Sequence, residues 1–345
     1  MINDDLIATA RALPKIELHR HLEGSLRLET LIGIALEYEL TLPAFSAETL
    51  RPYVQMMPDE ERSSKRFLGK FAVLRQFYRS EKVIKRVTQE VIADAAADNI
   101  KYMELRFTPQ ALNNIMHCDY ATVVDWVCAA TKDACAQHDI TVKLILSMNR
   151  HESVGIGELV LQAALDYQQA GVVGIDLAGQ EDGYSGLPFS DLFQDAKAAG
   201  LGVTIHAGEW SGAHNVREAV EQLNADRVGH GIRAFEDANV VALLRERGTV
   251  LEVCPQSNID SGVVETYGVH PLLPLYRSGV KTTINTDDPL ISDITLSDEF
   301  ANTMQHGGLT LADVKAQTLT AARSAFLPEA ERRALVAQFE TWFNA

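Results

Sequence analysis

Apolar positions along this chain repeat in a two-part pattern. A short apolar run ends in polar, chemically capable residues, and a longer segment with apolar positions at helical spacing follows. The runs are KIELHRHLEG (15–24), KYMELRFTP (101–109), VKLILSMNR (142–150) and VVGIDLAGQ (172–180). They continue as GVTIHAGE (202–209), RVGHG (227–231), VLEVCPQSN (250–258) and KTTINTDDP (281–289). Between them, segments such as TQEVIADAAADN, ELVLQAALDYQQAG and FEDANVVALLRERG are amphipathic and stop at Asn or Gly. Strands alternating with helices predict parallel pairing, and eight such units predict a closed (β/α)8 TIM barrel. An open doubly wound sheet would show a glycine-rich phosphate loop after the first strand, whereas the first run here ends in HRHLEG. The stretch 26–100 exceeds one crossover helix, which predicts an inserted set of helices forming a lid over the barrel mouth. The tail 309–345 carries two further helical patterns, LTLADVKAQTLTAARSAF and EAERRALVAQFETWF. Residues 1–345 are therefore expected to form a single barrel domain with extra C-terminal helices.

Charge narrows the possible partners. The chain has 31 Lys+Arg against 47 Asp+Glu, a net charge of −16, which argues against a nucleic-acid polymer as ligand but not against one nucleobase. Cys118, Cys128, Cys135 and Cys254 form neither a dense framework nor a CxxC pair, as in a reducing compartment. The acidic start MINDDLIATARALPKIE is unlike a signal peptide, and no apolar stretch reaches the length of a membrane span. The expectation is a cytoplasmic protein with no membrane partner.

In a barrel of this kind, reactive groups sit at the carboxyl ends of strands, because the following loops form the pocket. Those positions hold His19 and His21 on the first run, and His206 and Glu209 on the fifth. His230 comes from the sixth, and Asp287 with Asp288 from the eighth. The two-residue spacing of His19 and His21 puts both imidazoles on one face of a strand. Alone, such a pair arises by chance on any surface. With His206 and Asp287 added, three nitrogens and one carboxylate suit Zn²⁺ and leave room for a water. Glu209 follows His206 across a glycine and either faces a bound molecule or is an ordinary acid at a helix start. His230, between two glycines, either reaches toward the metal site or is a core histidine. Adjacent Asp287 and Asp288 are either a solvated turn or two carboxylates with different partners, one metal and one substrate.

HRHLEG, DLAG, HAGE, GHG and NTDDP, in this order and at these separations, resemble the adenosine deaminase family of the amidohydrolase superfamily. The resemblance runs from about residue 13 to the C-terminal helices. It implies one zinc ion per chain, held by His19, His21, His206 and Asp287. It makes Glu209 the proton donor and His230 the residue that orients and helps deprotonate the attacking water. It places Asp288 and the backbone of Gly179 on a purine ring and puts His21 beside the substrate. The implied reaction is hydrolytic removal of the 6-amino group of adenosine or 2′-deoxyadenosine, giving inosine or 2′-deoxyinosine and ammonia. Nucleobase deaminases with H-x-E and P-C-x-x-C are excluded, since Cys254-Pro255 has no second cysteine nearby. VVGIDLAGQ has no lysine to bridge two metals, which favours one.

Two positions depart from the family pattern. Glu23 stands where adenosine deaminases usually carry the Asp that contacts the ribose 5′-hydroxyl, and glutamate there resembles the adenine deaminase branch. Gln180-Glu181-Asp182 replaces the usual Asp-Glu after DLAG. DLAG and NTDDP are closer to the adenosine branch, so adenosine or a 5′-modified adenosine is preferred, with adenine and aminodeoxyfutalosine as alternatives. A non-catalytic purine-binding relative is the remaining reading; the complete set of ligands, acid and orienting histidine weighs against it.

Overall fold

A computed structural model describes residues 2–41 and 46–344. The eight strands are β1 (Lys15–His21), β2 (Ile100–Phe107), β3 (Thr141–Asn149), β4 (Val172–Ala178), β5 (Gly202–Ala207), β6 (Arg227–His230), β7 (Val250–Val253) and β8 (Lys281–Ile284). Each pairs in parallel with the next in sequence order. Each falls on one of the eight apolar runs, and helices connect them, as the alternating pattern predicts.

The join between β8 and β1 is built differently. Only one parallel bridge, Arg20 with Asp287, links them, through His21 N–H to the Asp287 carbonyl (2.8 Å) and Asp287 N–H to the His19 carbonyl (2.9 Å). Below it, side chains substitute for the ladder. The Asn285 carbonyl oxygen accepts from Leu18 N–H (3.0 Å), and the Glu17 carboxylate accepts from the N–H and hydroxyl of Thr286 (3.1 and 2.8 Å). This seam holds Asp287 against the two β1 histidines.

The connecting helices bury one face each. Glu81–Ala97 is capped by the Ser80 hydroxyl on Val83 N–H, and it buries Val83, Ile84, Val87, Val91 and Ile92. Each such side chain contributes about 1.5–3 kcal/mol when fully buried. The helix stops before Asn99, whose φ of 61° is the left-handed turn that asparagine tolerates. Its insertion partners, Leu28–Glu37, Ala47–Val54 and Ser64–Leu74, occupy the long segment after β1, and residues 42–45 of that insertion lie outside the described residues. At the opposite end, helices Leu311–Ser324 and Glu329–Asn344 pack on Ile16, Leu18 and Tyr102. The Phe326 ring between them presses so closely on Gly202 that a β-carbon there would approach it to 2.3 Å. Among the described residues, no helix is long and apolar enough to cross a membrane.

Candidate active site

All nine residues singled out from the sequence gather at the carboxyl ends of the strands. His21, Glu23, Gly179, His206, Glu209, His230, Asp287 and Asp288 line one cavity of about 250 Å³, and His19 lies buried beneath it. Phe67, Leu68 and Phe71, from helix Ser64–Leu74 of the insertion, form part of its wall. One of the inserted helices therefore walls the mouth.

One nitrogen from each of His19, His21 and His206 and one Asp287 oxygen lie within 4.8 Å of one another. His19 Nε2 and His21 Nε2 stand 3.2 and 3.3 Å from Asp287 Oδ1, and the Nε2 atoms of His21 and His206 are 3.3 Å apart. The back of this cluster is held by carboxylates. His19 Nδ1 is 2.8 Å from Glu252 Oε2, and His206 Nδ1 is 2.9 Å from Asp176 Oδ1. Such pairs put the imidazole proton on Nδ1 and turn the Nε2 lone pair inward, as metal-binding histidines require. His19 Nε2 is buried without a hydrogen-bond partner. Inward-facing lone pairs beside a carboxylate repel unless a cation sits among them, so the donor set fits a divalent metal. His19, His230, Cys254 and Asp287 form a second, overlapping group. Burial pushes the Cys254 thiol well above its ordinary range, and its Sγ–H donates to the Glu252 backbone carbonyl (3.6 Å).

Glu252 is the hub of a buried polar plate under the cluster. Besides His19 it accepts from Arg106 Nη2 (2.6 Å), Arg227 Nε (2.6 Å) and the Thr204 hydroxyl (3.0 Å). Burial alone would raise its pKa, but the two guanidinium groups hold it well below the carboxylate range. It is therefore a permanent anion behind His19. Asp176 is lowered in the same way, by His206 and Arg106 against the effect of burial.

The remaining acids behave oppositely. Burial, reinforced by the charges of Asp287 and Glu181, pushes Glu209 well above the usual range, and its Oε1 has no partner. Asp288 is raised by burial and by Asp287, Glu23 and Glu209, and its Oδ1 is likewise unpartnered. Two protonated carboxyls thus face the cavity beside the ionised Asp287, whose pKa stays well below normal because hydrogen bonding and charge from the histidines outweigh burial. Asp288 packs directly over Gly24: a β-carbon at that glycine would fall 1.8 Å from Oδ1. Glu23 accepts from Thr108 N–H (2.7 Å) through Oε1, leaves Oε2 unpartnered, and is raised by burial to about 7.

His230 and Asp287 have φ of 58° and 64°, a left-handed conformation rare for non-glycine residues and commonest where function demands it. A hydrogen-bond chain also sets the His230 tautomer. Leu272 N–H donates to His270 Nδ1 (3.0 Å), so His270 carries its proton on Nε2 and donates to the Asn258 carbonyl oxygen (3.2 Å). The Asn258 amide then donates to His230 Nδ1 (3.1 Å). Burial keeps His230 neutral, so its proton sits on Nε2, 3.5 Å from Glu209 Oε2 and 3.8 Å from Asp287 Oδ2.

Sequence reasoning missed several of these groups. Glu181 lies in a segment that departs from the family pattern at Gln180, and the sequence assigns it no role. In the structure its buried carboxylate accepts from the N–H groups of Gly208, Glu209 (3.0 Å), Trp210 (2.8 Å) and Ser211 (3.1 Å), and from Asn215 (2.9 Å). It pins the loop that carries Glu209. Asp176, Glu252, Asn258 and His270 were also missed. The available signal was a charge inside otherwise apolar runs, as in VVGIDLAGQ and VLEVCPQSN.

The sequence profile of the family described as adenosine deaminase matches residues 14–342. The chain belongs to the adenosine deaminase family. It is 36% identical over 317 residues to an adenosine deaminase of Clostridium botulinum, covering 92% of this chain and 94% of that one. Among solved structures it resembles an adenine deaminase from Arthrobacter aurescens, with TM-score 0.88, 28% identity, and 97% of this chain and 100% of that chain covered. A zinc-bound amidohydrolase from Burkholderia ambifaria also has TM-score 0.88, at 26% identity, covering 100% of this chain and 95% of the other. Membership makes this a purine deaminase family barrel, consistent with the motif order read from the sequence.

Proposed function

We propose that the chain is a zinc-dependent deaminase acting on the adenine ring of adenosine, 2′-deoxyadenosine or a 5′-modified adenosine. The observation that carries this reading is the convergence of the four metal donors with two raised, unpartnered carboxyls, Glu209 and Asp288, on one small cavity. His19, His21, His206 and Asp287 would hold one zinc ion per chain, which when bound supplies hydroxide near neutral pH by acidifying a water.

The chain's own residues do the rest. Protonated Glu209 donates to N1 of the purine, which makes C6 electrophilic. Protonated Asp288 donates to N7 and, with the Gly179 backbone, holds the ring plane. His21 borders the same cavity and contacts the substrate. His230, with its proton on Nε2, donates to the attacking oxygen and fixes its approach to C6. His230 acts as the orienting donor; one proton of the water passes to the amino group, which leaves as ammonia, and the proton of the C6 hydroxyl returns to Glu209 while N1 keeps the one it received. Ammonia leaves C6 and the ring keeps a 6-oxo group. The substrate is a single small-molecule purine; the net charge of −16 supports no role on nucleic-acid polymers. The protein works as one barrel domain in the cytoplasm.

Free adenine is the second reading, because Glu23 is longer than the usual aspartate and narrows the place a sugar would occupy. Steady-state ammonia release from adenosine, 2′-deoxyadenosine, adenine and aminodeoxyfutalosine by zinc-loaded protein separates the two. The nucleosides are expected to give the higher kcat/KM. A clear preference for adenine would replace the nucleoside reading.

A further inference from the structure

Phe67, Leu68, Phe71 and Arg75 follow at i, i+1, i+4 and i+8, so one face of the helical segment after residue 63 turns toward the cavity. The first three are apolar wall. Arg75 is not: it is half-buried, its Nε is shut off from solvent, and among the described residues its side chain makes no hydrogen bond or ion pair. A buried guanidinium nitrogen left unpartnered is costly unless a ligand completes it.

The neighbourhood sharpens the point. Arg75 acts electrostatically on Glu23, Tyr78 and His151. Glu23 Oε2, the Tyr78 hydroxyl and Asp288 Oδ1 are themselves buried and unpartnered. Arg75 and Glu23 line the same cavity and no ion pair joins them, so each is left for a different ligand group. Glu23, an acceptor when ionised, suits a sugar hydroxyl. Arg75, a donor only, needs an acceptor, and an anionic one matches its charge. Adenine carries no anionic group to offer it, and N1 and N7 of its ring are taken up at Glu209 and Asp288.

We propose that Arg75 is a specificity-determining residue that receives an anionic group, a phosphate or carboxylate, borne on the 5′ side of an adenine nucleoside. The inference rests on the deaminase reading above, in which Asp288 and Glu209 fix the ring. The natural substrate is then a negatively charged adenosine derivative, and the reaction that supplies it must attach or retain an anion at that end of the ribose.

The test compares kcat/KM for adenosine, adenosine 5′-monophosphate, adenosine 5′-carboxylate and aminodeoxyfutalosine, using zinc-loaded wild type, Arg75→Gln and Arg75→Lys. Wild type is expected to favour at least one anionic compound over adenosine by about 10–100-fold. Arg75→Gln should bring that ratio close to one, and Arg75→Lys should keep part of it. Whether phosphate or carboxylate gives the larger ratio identifies the source of the anion. Equal rates on neutral and anionic substrates in wild type, or a preference that survives Arg75→Gln, would overturn the proposal. Failure to deaminate any of the four would instead strike the deaminase reading. In that case calorimetric binding of inosine 5′-monophosphate against inosine still decides the role of Arg75, with equal affinities counting against it.

Discussion

Glu209→Gln is expected to lower kcat by roughly 10²–10⁴-fold, the usual contribution of a positioned general acid, while KM and zinc content stay near wild type. The substitution is nearly isosteric. The backbone around it is held by Glu181, through the N–H groups of residues 208 to 211, so the loop keeps its place. What disappears is the transferable proton. Glu209 owns that proton at neutral pH because burial and the neighbouring charges of Asp287 and Glu181 raise its pKa well above that of an exposed carboxylate. Steady-state kinetics with metal analysis on the same preparation separate loss of the acid from loss of the metal. A near-wild-type kcat would remove Glu209 from its assigned role.

The second large effect concerns the metal cluster. His206→Ala removes one of three converging imidazoles and is expected to weaken zinc binding by more than about 10²-fold, with activity falling in parallel. Asp176→Asn leaves the imidazole but weakens its charged partner 2.9 Å away, and the loss should be smaller, about 10–100-fold in metal affinity. The ranking matters because it distinguishes a ligand from the group that orients it. Asp176 also faces Arg106 and accepts from the Ser147 hydroxyl, so its replacement disturbs a buried ion pair as well. Competition with a chromophoric chelator reads the affinities, and thermal unfolding of metal-free protein reads the structural cost alone. Equal zinc affinity in His206→Ala and wild type would exclude His206 from the ligand set.

The barrel was legible because each strand is a short apolar run bounded by polar residues, and each run met its neighbours in order. The seam between β8 and β1 was not. It depends on Asn285 and Glu17 lending side chains to a backbone ladder, and the residues they join are more than 260 positions apart. The same separation hid the support for the metal cluster. Glu252 lies 233 residues from His19, and nothing in the spacing of either announces the other. His19, His21, His206, Glu209, His230, Asp287 and Asp288 were legible because strand ends in a barrel point at one place. The insertion was legible as helices but not as a wall with a defined face. The stripe of Phe67, Leu68, Phe71 and Arg75 has helical spacing, yet the sequence holds no sign of which helix turns toward the mouth.

Glu181 shows how a residue given no chemical role by the sequence can be structural. Read beside DLAG it drew no role: Gln180 stands in place of the usual Asp, and Glu181 in the position of the Glu that follows it. Folded, it satisfies four successive backbone donors that a tight loop would otherwise leave unmade. The histidine chain through Asn258 and His270 is similar in kind: its meaning comes from hydrogen-bond direction, which begins at a backbone N–H and is invisible in one dimension.

The central claim is that water replaces the 6-amino group of an adenine ring in this cavity. Zinc-loaded protein incubated with adenosine and adenosine 5′-monophosphate in ¹⁸O-labelled water, followed by mass spectrometry and ammonia assay, tests it most directly. The account predicts one ammonia released per 6-oxo purine formed, with the label at C6. Release of ammonia without label at C6 would contradict it, as would failure to turn over any of adenosine, adenosine 5′-monophosphate, adenine and aminodeoxyfutalosine in the presence of stoichiometric zinc.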